Sequence, residues 1–215
     1  MKPVTRVVFI LDQMIHNKNI IRITFSWVLF ILVIYLMISV SACRHKTPSN
    51  TDDICKIFSQ KKRWYKHAKK STKKWGTPVH VQMAILQQES GFEYDAKPAR
   101  KKILGFIPWR RKSSAYGYAQ VLNETWKEYA KQTNNHGADR DSFKDAVDFV
   151  GWYTYHTQKQ TKVSKWDTYN QYLAYHEGRT GFIRKSHNKK PWLIKVAKKV
   201  DKRSKIYASQ LKNCK

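Results

Sequence analysis

Acidic residues are scarce in this sequence. Its 215 residues hold 15 Asp and Glu against 42 Lys and Arg, a formal net charge of +27. So basic a balance points to a polyanion or an anionic surface as partner. Cysteine is scarce too: Cys43, Cys55 and Cys214 are all there is. The eight histidines have no metal-ligand spacing, so neither a metal nor another cofactor is expected. No series of alternating apolar and polar strands occurs, no internal repeat, and no composition break that would divide the body of the chain. What remains is a mostly α fold in a single compact domain.

One long apolar stretch is present, near the start. Phe25 to Val40 is almost wholly apolar and follows Lys2, Arg6, Lys18 and Arg22. Positive charge stays on the cytoplasmic side of a membrane, so the rest of the chain is expected to be exported. The stretch closes on Val40-Ser41-Ala42-Cys43, which resembles a bacterial lipobox. That resemblance implies lipid on Cys43, which becomes the new N-terminus; the alternative is a plain transmembrane anchor. Met14 is a second candidate start. Arg44 rather than Asp follows Cys43, which favours a periplasm-facing outer-membrane lipoprotein over the inner membrane. The expected organisation is a signal segment over 1–43, a tether over 44–52 and a folded domain over 53–215. An exported basic chain meets the cell envelope, so nucleic acid is not the expected partner. Cys55 and Cys214 lie near the two ends of that domain, and in an oxidising compartment they are expected to pair.

Ile54, Ile57, Phe58, Tyr65 and Ala68 share helical spacing, which predicts one basic amphipathic helix ending at Gly76. Thr77-Pro78 reads as an N-cap and first helical residue of a helix reaching about Ser90, with Gly91 as its stop. Asn123 caps a helix bearing Trp126 and Tyr129. Ser142 and Asp145 form a capping-box pattern before Phe143, Ala146, Val147, Val150 and Tyr153. Further helices are expected over about 168–176 and 191–211.

On the second helix Val81, Ile85 and Glu89 are four apart and share one face. Glu89 thus continues an inward row at a helix C-terminus, where burial and the helix dipole both disfavour its charge. A carboxyl still protonated near neutral pH can act as a general acid toward a glycosidic oxygen. The alternative is a surface Glu paired with one of the many lysines.

Three segments decide between these. Glu89-Ser90-Gly91-Phe92, then Ala115-Tyr116-Gly117-Tyr118-Ala119-Gln120, then Ala174-Tyr175-His176-Glu177-Gly178 resemble, in order, the motifs of the soluble-type (SLT), lysozyme-like lytic transglycosylases. The resemblance implies an α+β lysozyme-like fold and action on peptidoglycan glycan strands by a monomer. It implies Glu89 as catalytic acid/base, Ser90 orienting substrate, Gln120 lining the groove, and a Tyr175 hydroxyl near the Glu. Tyr116 and Tyr118 are expected to offer stacking faces, and His176 to touch substrate where the family has Asn. Ala115 stands for a family Gly, and Tyr118-Ala119 for Leu-Met, giving a more polar wall. Glu93 and Asp95 are candidate second acids for hydrolysis; Glu177 is an extra acid with no assigned role. A non-catalytic glycan-binding module on the same fold is the competing expectation. Residues 100–112, apolar with basic flanks, look like an insertion: a groove lid, a lipid or partner contact, or a hairpin packed on the body.

Overall fold

The computed structural model describes residues 30–31, 47–103, 107–111 and 113–214, with the backbone alone at 101–103 and 107–110. Cys43, its apolar stretch apart from residues 30–31, and the side chains of the basic residues at 101–110 therefore lie outside the described residues. The chain divides into two units, Met1–His45 and Lys46–Lys215. Of the first, residues 30–31 are described and are helical. Among the described residues no helix is long and apolar enough to cross a membrane.

The second unit is mostly helical. In chain order it holds α1 (Ile54–Gln60), α2 (Lys62–Trp75), α3 (Val79–Ser90), β1 (Arg100–Ile103), β2 (Ile107–Arg111), α4 (Asn123–Gln132), α5 (Phe143–Thr161), α6 (Thr168–Ile183), a 3₁₀ turn (Ser186–Lys189) and α7 (Pro191–Leu211). The two strands pair antiparallel, with Ile103 opposite Ile107. Of the expectations for 100–112, the hairpin describes this backbone.

Two helices make the centre. All six residues Val81–Leu86 of α3 are buried, so that helix is surrounded on every side. α5 buries eleven residues between Phe143 and Thr157, packing on α2 along one flank and α6 along another, and α7 closes over α3 and α6. Trp64 stacks on Phe143 at 3.8 Å and meets Tyr118 edge-on and Phe92 at a tilt. One indole thereby joins α2, α5, the turn after Glu89 and the 115–120 segment.

Four local expectations are corrected. The helix expected to run from Ile54 to Gly76 breaks at Lys61, whose backbone (φ −121°, ψ 64°) is not helical. The break shifts the phase of α2, so Trp64 points inward and Tyr65 is 42% exposed. Thr77 does not cap α3: Pro78 is the N-cap residue, and the Thr77 hydroxyl bonds to that of Thr154 at 2.6 Å. Asn123 does not cap α4; it is the first helical residue, and its N–H donates to Ser114 Oγ. No capping box forms at Ser142. The Asp145 carboxylate accepts instead from Asn135 Nδ2 and the Asp139 N–H. At Thr77 and Asp145 a partner from another part of the chain took the bond that the local pattern promised.

The ends of the unit are joined. Cys55 and Cys214 form a disulfide with Cα atoms 5.4 Å apart. Gln210 reinforces it, accepting from the Ile54 N–H and donating to the Asp52 carbonyl.

Candidate active site

Glu89 stands in the last turn of α3, in row with Val81 and Ile85, both fully buried. The helix stops at Gly91 (φ 60°), and Phe92 also takes a left-handed backbone (φ 67°) with its ring in the core. Two successive left-handed residues turn the chain sharply away, leaving the Glu89 side chain at the helix end.

The segment Ser114 to Val121 returns to that end and is held there by long-range bonds. The Arg140 guanidinium donates to the carbonyls of Ser114 and Val121. Ser90 Oγ donates to the Tyr118 carbonyl at 2.8 Å, and the Tyr175 hydroxyl to the next carbonyl, Ala119, at 2.6 Å. Gln120 Nε2 donates to the carbonyls of Ala96 and Gly117. Gly117 has φ 75°, and a Cβ there would lie 2.1 Å from the Arg140 carbonyl oxygen, so only glycine permits this approach. Gln120 keeps a left-handed backbone (φ 47°) without being glycine, a strained conformation that its side-chain bonds hold in place.

These elements enclose a cavity of about 490 Å³. Glu89 comes from α3; Ala115, Gln120, Val121 and Leu122 from the returning segment; Thr125 from α4. Phe149 and Tyr153 come from α5, and Tyr175, His176, Glu177 and Gly178 from α6. The residue Glu89 is only partly covered, because its carboxyl opens on the cavity, yet its walls are mainly aromatic and aliphatic. Burial raises its pKa to about 7, and a hydrogen bond from Tyr172 offsets that only in part. Tyr175 is also raised, first by burial and then by the nearby Glu89 charge. Tyr153 crosses Tyr175 edge-on at 5.1 Å and donates its hydroxyl to the Ala174 carbonyl.

Glu177 behaves differently. Its side chain is 3% exposed and accepts from Lys190 Nζ at 2.8 Å, from Ser186 Oγ, and from His176 Nδ1 when that nitrogen is protonated. Burial alone would raise its pKa, but the bonds from Lys190, Ser186 and His176 win and hold it at about 2. The cavity thus has two carboxyls with opposite settings: one poised to carry a proton near neutrality, one a fixed anion with its own cation.

Glu89, Gln120, Tyr175 and His176 are brought together. Ser90 is not in the lining; its hydroxyl ties the returning segment down, so it acts on geometry. Tyr118 is corrected outright. It is 2% exposed, edge-on to Trp64 and Phe143, and offers no stacking face and no polar wall. Tyr118 sits in a turn packed on Trp64, which puts its ring in the core. Tyr116 also lies outside the lining, donating its hydroxyl to Asp141 between Lys97 and Arg140. Glu93 is exposed, and neither it nor Asp95 reaches the cavity. Sequence reasoning missed Tyr172, three residues before Tyr175 and so on the same helical face. It also left Tyr153 as plain core and did not single out Phe149, four residues earlier on α5.

A family model described as the transglycosylase SLT domain matches residues 31–214. No curated protein and no solved structure matches the chain. The mostly helical body, the carboxyl at the end of a buried helix and the segment folded back over it agree with that match, and the chain belongs to the transglycosylase SLT domain family of peptidoglycan-directed enzymes.

Proposed function

We propose that this protein is a lytic transglycosylase that cleaves the β-1,4 bond between N-acetylmuramic acid and N-acetylglucosamine, with Glu89 as its one catalytic acid and base. The observation carrying this is a carboxyl with pKa about 7 in the cavity, while Glu177, the other acid of the lining, is committed to Lys190 and Ser186. Protonated Glu89 gives its proton to the glycosidic oxygen as the C1–O bond breaks, and the glucosamine leaves with a free hydroxyl. The substrate's N-acetyl oxygen shields the positive charge at C1. Glu89, now a carboxylate, removes the proton from the muramyl C6 hydroxyl, and that oxygen bonds to C1. The acid is regenerated, no water is consumed, and the product is the 1,6-anhydro sugar. Tyr172 donates to the carboxylate in mid-cycle, and Gln120 and His176 contact the strand.

Hydrolysis is the second possibility, favoured by one observation: Glu177 lies in the same lining, and hydrolysing glycosidases use two carboxyls. The product separates the two, since an anhydro end is one water lighter than a reducing end. The expected outcome for Glu89→Gln is loss of at least about 10³-fold in release of anhydro-muropeptides with an unchanged circular dichroism spectrum. Wild-type kcat/KM should decline as pH rises through about 7, because the free enzyme then loses the required proton. Turnover by the Gln variant at the wild-type rate would sink the assignment.

The exported pattern at the start of the chain supports a lipoprotein attached through Cys43 and placed at the outer membrane facing the periplasm. Cys43→Ser should leave an uncleaved precursor without lipid, read as intact mass; normal cleavage and lipidation of that variant would refute it.

A further inference from the structure

Trp192 is 54% exposed. A single exposed apolar residue is ordinary and by itself implies nothing. Its surroundings are what set this one apart. Its indole meets the His176 ring edge-on at 5.1 Å, and His176 belongs to the lining of the cavity that holds Glu89. Its backbone is fixed by the two residues before it. Pro191 begins α7 with a locked φ, and Lys190 places both of its side-chain hydrogen bonds on Glu177, next to His176 in α6. The α6 backbone at Gly178 departs from helical geometry (φ 73°, ψ 154°) directly after that clamp, and Gly178 is itself in the lining. Trp192 is thus a large apolar face held at the cavity rim by bonds that form when the chain folds.

The local charge argues for what it takes. Lys190 would draw an anion to this rim, but its charge is matched by Glu177, a carboxylate that stays ionised. With Lys190 paired, a preorganised aromatic face suits the apolar C–H face of a pyranose ring, whose partial positive hydrogens meet the negative face of the indole. Because the ring is already ordered, little further side-chain freedom is lost on contact. We infer that Trp192, steadied by His176 and the Lys190–Glu177 clamp, forms a sugar-stacking subsite that binds a pyranose of the glycan strand next to those in the cavity. This rests on the glycan-cleaving function proposed above.

The test uses the full chain in detergent and purified, uncrosslinked peptidoglycan glycan strands. Trp192→Ala should raise KM for long strands about five- to tenfold while kcat changes less than about twofold, the signature of lost uniform binding. Trp192→Phe should recover most of the difference. Strand binding is measured separately in Glu89→Gln and in Glu89→Gln with Trp192→Ala, where Kd should rise by the same factor. An unchanged KM, or a fall in kcat at constant KM, overturns the subsite. If the wild type releases no product but Trp192→Ala still weakens binding, the catalytic proposal fails and the subsite stands. If no strand binds to any form, both fall.

Discussion

A single carboxyl carries opposing demands. Burial raises the pKa of Glu89 in the folded protein to about 7, whereas an unfolded glutamate keeps its ordinary value of about 4.5. Between those values the native state holds more protons than the unfolded state, so stability falls as pH rises through this window. Below pH about 4.5 both states are protonated and Glu89 contributes no difference; above about 7 its ionisation costs at most about 3 kcal/mol. Glu89→Gln should therefore raise Tm at pH 8 and leave it nearly unchanged at pH 4.5, while it removes activity. Equal Tm differences at both pH values would mean that burial of the charge is not what raises the pKa. The aromatic walls that make this residue a usable acid near neutrality are the same ones that destabilise its charged form.

At the scale of elements, the junction of α6, the 3₁₀ turn and α7 depends on Glu177. Three donors converge on a side chain that is 3% exposed, and its pKa falls to about 2. With a folded value below the unfolded one, its contribution is fully present above about pH 4.5 and is lost as pH falls through about 2. Glu177→Gln should cost about 1–3 kcal/mol in urea unfolding at pH 7, and that difference should shrink toward zero near pH 2. A constant difference across this range would assign the loss to shape rather than charge. The returning segment is a second such junction: its carbonyls at 118 and 119 are taken by Ser90 and Tyr175, from the two helices that meet at Glu89. Ser90, beside the acid, and Tyr175 thus hold in place the segment that lines the cavity.

Over the whole molecule, one covalent link closes the fold. The Cys55–Cys214 bridge spans 159 residues, and on the loop-entropy model it stabilises by about 4–5 kcal/mol. It joins α1 to the residues just past the end of α7. Reduction, or Cys55→Ser, should lower Tm by about 8–20 °C at about 2–4 °C per kcal/mol, without altering helix content below the transition. No shift in Tm on reduction would show that Gln210 and Tyr207, which bonds the Thr51 carbonyl, suffice to hold the ends.

Helical periodicity and end signals determined much of this protein unaided. The inward row through Val81, Ile85 and Glu89, the Gly91 stop and the span from Pro191 to Leu211 follow from spacing, a property each local segment carries with it. Tertiary structure alone decided the rest. Periodicity says that a residue faces inward but not what it will meet, since the neighbour comes from a distant part of the chain. So Tyr172 facing Glu89, Glu177 bound to Lys190, and His176 beside Trp192 were beyond its reach, and Tyr118 went into the core because Trp64 was waiting there. The same competition undid the expected caps. A hydroxyl or carboxyl bonds whichever partner the packed chain brings nearest, and for Thr77 and Asp145 that partner was not their own helix.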